Sequence, residues 1–227
     1  CYRVIDGSWQ EVPIKSAFKI PELLGEIRQS LTRVPVEDAS EPSDLELIER
    51  ARGGEQDAFG FLYRRHQAYV YRFARAMTGS TALAEDIVQE VFLALMRDLE
   101  RYDAGRGGLR TYLFGIARNL ARYRARSVRR LISLDQVEET SEFEDPAAAL
   151  STTQESRRLR ECLDGLPARY REVIILCDLQ ELDYAATAAV LGVPIGTVRS
   201  RLHRGRLLLL ERLKRRDGVP VAKRCLI

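Results

Sequence analysis

The chain has 227 residues, 45% of them hydrophobic and 30% charged, with a formal net charge of +3. That composition fits one or two folded domains and argues against a disordered or collagen-like chain. No apolar run approaches the roughly 20 residues a membrane helix needs, and no signal peptide is visible, so no membrane insertion of its own is expected.

The small net charge hides strong segregation. Residues 118–130 (RNLARYRARSVRR) hold six arginines and no acid, whereas residues 135–145 (DQVEETSEFED) hold six acids and no base. A basic block suits a polyanionic partner, and an acidic block beside it would repel the same partner.

In chain order, residues 1–42 stand apart. YRVIDGSWQEVPI reads as a short strand pair or an irregular arm, IPELLGEIRQSL as a short helix, and TRVPVEDASEPSD as a linker rich in Pro, Ser and acid. Cys1 opens the chain without a methionine, so either an upstream portion is missing or the end is processed. No function attaches to this extension, which is expected to be partly disordered.

From Ser43 onward apolar residues recur at spacings of three and four, the signature of an all-α chain. SDLELIERARGG starts with a capping box, Ser43 and Glu46, and stops at Gly53-Gly54. A second helix is predicted over about 55–77, with Phe59, Leu62, Tyr63, Val70, Phe73 and Met77 on its stripe. A third covers about 81–101, capped by Ser80 or Thr81, with Leu83, Ile87, Val91 and Leu95 inward. The loop YDAGRGG leads to a fourth helix over about 109–130. Each stripe is as wide as a core-facing helix requires, so residues 43–130 predict a four-helix domain.

Residues 131–150 are acidic, contain Pro146 and have weak periodicity, so they read as a linker. Ser151 and Gln154 form another capping box. Helices follow at about 152–164, 168–180, 184–191 and 195–214, giving a second helical domain over 151–216 and a short tail, 217–227.

The cysteines are Cys1, Cys162, Cys177 and Cys225. They form no CxxC pair, and with only His66 and His203 available no metal site is expected. Cys162 and Cys177 lie in apolar helical stretches, as buried thiols do, which points to a reducing compartment. Cys225 stands third from the end, one place short of a prenylation box.

The segment LDYAATAAVLGVPIGTVRSRLHRGRLLLLERL, residues 182–213, carries the most specific signal. Asp183 can cap a helix whose alanines let a second helix cross closely. Gly192 sits where a left-handed turn is usual, and Pro194 sets the start of the next helix. Val198, Leu202, Leu209 and Leu213 face inward, and Arg199, Ser200, His203 and Arg204 share the outward side. A helix-turn-helix presents its recognition helix to the major groove in this way.

With its preceding helix, LPARYREVIILCDLQELDYAATAAVLGVPIGTVRSRLHRGRLLLLERL resembles the −35 recognition domain of extracytoplasmic-function (ECF) sigma factors, a family of bacterial RNA polymerase sigma factors. FGFLYRRHQAYVYRFARAMTGSTALAEDIVQEVFLALMRDLERYD resembles their core-polymerase-binding helices, and LRTYLFGIARNLARYRAR their −10 element helix. The resemblance runs in order over about 43–216. It implies a sigma region 2 at 43–130 and a sigma region 4 at 151–216. It also implies a non-enzymatic, cytoplasmic protein without cofactors, whose partners are core RNA polymerase, promoter DNA and an anti-sigma factor, in a stress-response setting.

The resemblance assigns roles residue by residue. Asp86, Gln89, Glu90 and Phe92 match the clamp-binding helix, the carboxylates pairing with polymerase arginines and Phe92 serving as an apolar anchor. Tyr102, Asp103, Arg106, Arg110 and Tyr112 fall at the loop that captures a −10 base, with Asn119 on the following helix. Arg118, Arg122, Arg124 and Arg126 are expected to grip phosphates. Tyr112 stands where the family more often has tryptophan and keeps an aromatic face, whereas Tyr123 stands where it often has aspartate and so removes a charge that bears on −10 base preference. Thr197, Arg199, Ser200, Arg201, His203 and Arg204 match the −35 contacts. Among them Arg199 and Arg204 are expected at base edges, and Arg201, with Arg206, at phosphates. The family's linker threads toward the polymerase cleft, where the acids Glu138, Glu139, Glu142 and Glu144 either mimic nucleic acid or form a solvated tether.

Two other readings compete. A DNA-binding regulator would use the same helix-turn-helix without the helices at 57–101. A nucleic-acid-processing enzyme would need paired carboxylates with histidine, a phosphate-binding glycine loop or a metal constellation, none of which the sequence displays.

Overall fold

A computed structural model of the chain describes residues 2–5, 8–11, 42–134 and 154–216. The expected linker beyond Leu134, the Ser151 capping box, most of the N-terminal extension and the tail lie outside the described residues. Within the extension, strands β1 (Tyr2–Ile5) and β2 (Ser8–Glu11) pair antiparallel with Tyr2 opposite Glu11, which selects the strand-pair reading over the irregular arm.

Eight α-helices, joined by short loops, two 3₁₀ turns and a π turn, make up the rest of the described chain, and they segregate into the two expected groups. The first group holds α1 (Asp44–Arg52), α2 (Gln56–Thr78), α3 (Thr81–Asp98) and α4 (Leu109–Leu134). The Ser43 hydroxyl accepts the Glu46 N–H at 3.3 Å, and Ser80 does the same for Leu83 at 3.3 Å, so both predicted caps form. The third helix stops three residues before the predicted Arg101, and Leu99–Arg101 tightens into a 3₁₀ turn. Its carbonyls are taken from outside: the Arg52 guanidinium donates to the Leu99 oxygen at 2.9 and 3.2 Å and to the Tyr102 oxygen at 2.7 Å. The fourth helix runs four residues past the expected Arg130.

Leu62, Phe73, Ile87, Leu95, Leu113 and Phe114 fill the interior of this bundle, with the Phe73 and Phe114 rings 5.2 Å apart. At one end, buried His66 meets the Asp44 carboxylate through Nε2 at 2.9 Å, and Arg65 donates to the same carboxylate at 2.8 Å. This cluster ties α1 to α2. Burial alone would raise the Asp44 carboxyl, but the hydrogen bonds and charges of His66 and Arg65 hold it below its ordinary value.

The second group holds α5 (Gln154–Asp164), α6 (Ala168–Ile174), α7 (Tyr184–Leu191) and α8 (Ile195–Arg216). The helix predicted over 168–180 is regular only to Ile174 and continues as a π-helical turn, Ile175–Leu179. Leu159, Ile174, Ile175, Val198 and Leu209 form its core. Cys162 is buried and Cys177 half-buried, both as thiols. Burial pushes the Cys177 thiol up, against the opposing effect of its contact with the Thr187 hydroxyl at 3.4 Å. Helix α8 crosses α6 at Gly205, where a Cβ would lie 3.0 Å from the Ile174 methyl and 3.3 Å from Tyr170 Cβ. The two groups also touch each other: α7 packs along α4, and α5 approaches α2.

Candidate nucleic-acid interface

The helix-turn-helix is assembled from local chemistry. Asp183 Oδ1 accepts the Ala186 N–H at 2.7 Å and starts α7. Gly192 ends it at φ 66°, a left-handed geometry that side-chain-bearing residues resist. The Pro194 carbonyl accepts the Thr197 and Val198 N–H groups and opens α8. Val198, Leu202, Leu209 and Leu213 are buried, which leaves Arg199, Ser200, His203 and Arg204 exposed on the opposite side. Thr197 and Arg201 are half-exposed at its flank. The Ser200 hydroxyl donates to the Thr197 carbonyl at 3.1 Å, and the Arg199 guanidinium lies 5.6 Å from the Tyr184 ring centre.

Arg206, read from the sequence as a phosphate contact, is differently placed. It donates to both oxygens of Asp178, at 3.0 and 2.5 Å, bracing α8 against the π turn. That hydrogen bond holds its guanidinium pKa above the ordinary value. The pairing spans 28 positions, so no local sequence signal announces it.

The second basic face follows α4 and the loop before it. Asp103 Oδ1 accepts the Gly105 N–H at 2.9 Å and shapes the loop, with Asp103 and Arg106 exposed. Tyr102 is buried: its hydroxyl donates to the Gly107 carbonyl at 3.1 Å and its ring meets half-buried Tyr112 edge-on at 5.4 Å. Burial raises the pKa of both phenols. Asn119 and Arg122 are exposed. Arg110 lies over the Tyr69 ring at 4.1 Å and donates to the Gln180 carbonyl, and Arg118 meets Glu172 at 3.0 Å. Both of those acceptors belong to the second helical group.

On α3, Asp86 and Gln89 are exposed, and Glu90 pairs with Arg124 of α4. Phe92 is buried, with its ring 4.7 Å from Tyr63 and 6.4 Å from Phe59. The large apolar side chains that do face outward on this helix are Leu93 and Met96, each 56% exposed. With Asp86 and Gln89 they follow a spacing of three, four and three, which places all four on one helix face. That spacing was available in the sequence, whereas Phe92 entered the expected anchor set through the resemblance and not through the helix-face pattern. Among the described residues no group of His, Cys, Asp and Glu could hold a metal ion, and no helix is long and apolar enough to cross a membrane.

Both helical groups are similar to known proteins. The Sigma-70 region 2 family model matches residues 62–131, and the Sigma-70 region 4 model matches residues 156–209. The ECF RNA polymerase sigma factor SigE of Mycolicibacterium smegmatis is 30% identical over 91% of this chain and 81% of its own length. CarQ of Myxococcus xanthus, an RNA polymerase sigma factor, is 34% identical over 73% of this chain and 95% of its own. Among solved structures, CnrH in complex with the cytosolic domain of CnrY is similar at a TM-score of 0.59, with 30% identity, over 76% of this chain and 97% of that one. RpoE of Bartonella quintana, in complex with the anti-sigma factor NepR, is similar at a TM-score of 0.55, with 25% identity, over 72% of this chain and 98% of that one.

Proposed function

The chain belongs to the ECF RNA polymerase sigma factors, and on that premise we propose how its surfaces divide the work of promoter recognition. It binds core RNA polymerase, directs it to specific promoters and promotes opening of the duplex for initiation. The bundle of α1–α4 serves core binding and the −10 element, and the bundle of α5–α8 serves the −35 element. The observation that supports this most directly is the outward face of α8, where Arg199, Ser200, His203 and Arg204 stand exposed on a helix fixed from behind by Val198 and Leu202.

Each step then has its residues. At the −35 element, Arg199 and Arg204 donate to base edges, Ser200 and His203 supply adjustable polar contacts, and Thr197 and Arg201 hold the flanking backbone. At the −10 element, Asp103 and Arg106 line the base-capturing loop, with Tyr102 and Tyr112 as its floor. Asn119 and Arg122 follow the strand, joined by Arg110 and Arg118 when these are released. Core polymerase docks on the Asp86, Gln89, Leu93 and Met96 face, which pairs carboxylate and apolar contacts as protein interfaces do. Glu90 borders this face, and Phe92 supports it from within the core.

None of this requires catalysis by the chain itself, and the place of action is the cytoplasm, where polymerase and chromosome meet. The sigma factor RpoE is seen in complex with the anti-sigma factor NepR, and CnrH with the cytosolic domain of CnrY, which supports an anti-sigma partner here as well. Run-off transcription with purified core polymerase on a genomic library tests the function. The expected result is a set of transcripts that share one pair of upstream elements and require this chain; initiation independent of the added chain overturns the reading.

A further inference from the structure

The same arginines cannot hold a DNA strand and the second bundle at once. Glu172 of α6 is 3% exposed, and its carboxylate faces Arg118 at 3.0 Å and Arg122 at 3.9 Å. The Gln180 carbonyl takes a hydrogen bond from Arg110, and the Val190 carbonyl at the end of α7 lies 3.5 Å from Arg118. A carboxylate and two carbonyl oxygens thus occupy guanidinium groups that would otherwise meet phosphates and bases.

The backbone that delivers these acceptors is unusual. The π turn Ile175–Leu179 ends in the Gln180 N–H bonding the Ile175 carbonyl, and Glu181 follows at φ 54°, left-handed for a residue with a Cβ. Both features sit next to the Gln180 carbonyl, and such irregularities persist where surrounding contacts over-determine them. On the other side of the junction, burial raises the carboxyl pKa of Asp164 of α5, against the opposing charges of Arg171 and then of Arg75 from α2. The −35 face of α8 takes no part and stays exposed.

We propose that the free protein is self-masked: the second bundle closes over α4, with Glu172 standing in for promoter phosphate, so that the −10 face is available only after the bundles part. The proposal rests on the reading of α4 as the strand-binding face. Residues 135–153 are long enough for parting, since an extended segment of that length reaches on the order of 60 Å. Core polymerase would favour the open form by holding the two bundles at separate sites. In the closed form, apparent affinity for a −10 strand is lowered by the fraction of molecules that are open.

The test uses the full chain as wild type, Glu172→Gln and Glu172→Arg. Gln keeps the side-chain volume and removes the charge, and Arg adds repulsion against Arg118 and Arg122. The probe is a fluorescein-labelled 12-nucleotide non-template strand that carries the −10 element returned by the run-off selection. Fluorescence anisotropy should show both variants binding about tenfold or more tightly than wild type. Small-angle scattering without DNA should show a larger radius of gyration for both. Run-off transcription with core polymerase should be equal for wild type and Glu172→Gln, because core has already opened the chain. Circular dichroism verifies folding, and if Glu172→Arg loses helix the isosteric Gln variant alone decides. Equal strand affinities and equal radii overturn the self-masking, even while run-off transcription succeeds. Failure of run-off itself would count against the promoter role instead, and scattering would still decide closure.

Discussion

Arginines in this chain separate by what they touch. Arg204 is exposed on the recognition face, whereas Arg206, two residues on, is committed to Asp178. Arg204→Ala should therefore cost about 1–3 kcal/mol of −35 duplex binding and relax discrimination at one base pair, measured by anisotropy against single-base variants of the element. Arg206→Ala should act on stability instead, since it leaves the Asp178 carboxylate, 7% exposed, without its guanidinium. Asp44 makes a pH prediction. Its folded pKa is lowered, so its contribution is fully present above the unfolded value and is lost as pH falls through the folded one. Acid denaturation should thus steepen below about pH 4, near the reference carboxylate value. Asp44→Asn should flatten that limb of a thermal-melt series against pH while lowering the neutral-pH melting temperature. The sequence displayed the arginines but not these distinctions: Arg206–Asp178 and Arg118–Glu172 join positions 28 and 54 apart, and only the tertiary fold brings them together.

At the level of elements, local chemistry was legible wherever it acts over a few residues. Ser43, Ser80, Asp183 and Gly192 cap as their positions in the sequence imply, and the helix-turn-helix follows from them. The early end of α3 escaped the periodicity because Arg52 of α1 claims the Leu99 and Tyr102 carbonyls, and the π turn escaped it because Ile175, Leu176 and Leu179 are buried as they would be in a continuing helix. The split between Phe92 and Leu93 belongs here too. An apolar stripe says which face is buried but is too wide to say where its edge falls. Phe92→Ala should cost about 3–5 kcal/mol of stability, as removal of a buried aromatic does, and lower the melting temperature accordingly. Leu93→Glu and Met96→Glu should leave the melting temperature nearly unchanged and weaken capture by core polymerase, read by titration of core with labelled chain. Gly205→Leu should destabilise the α6–α8 crossing by about 1–3 kcal/mol, since even a Cβ there would meet the Ile174 methyl at 3.0 Å.

For the whole molecule, charge segregation takes on a spatial meaning. The basic block of α4 faces a carboxylate of the other bundle, while the basic face of α8 faces solvent. The two faces proposed for the promoter elements are therefore unequally accessible in this one conformation, and this separates them experimentally. The free chain should bind a −35 duplex with an affinity that Glu172→Gln leaves within about twofold, because no acceptor of the closed junction touches Arg199, Ser200, His203 or Arg204. Arg204→Ala should weaken that binding whether or not Glu172 is changed, and the two effects should add, as they do for sites without shared partners. Binding should also weaken with salt in proportion to the phosphates neutralised, and Arg201→Ala should lower the slope of log affinity against log salt by about one. The measurement is a double-mutant cycle in duplex binding at two salt concentrations. A coupling energy well above about 0.5 kcal/mol between positions 172 and 204 would mean that closure reaches the recognition helix, and the −35 face would then be gated together with the −10 face rather than independently of it.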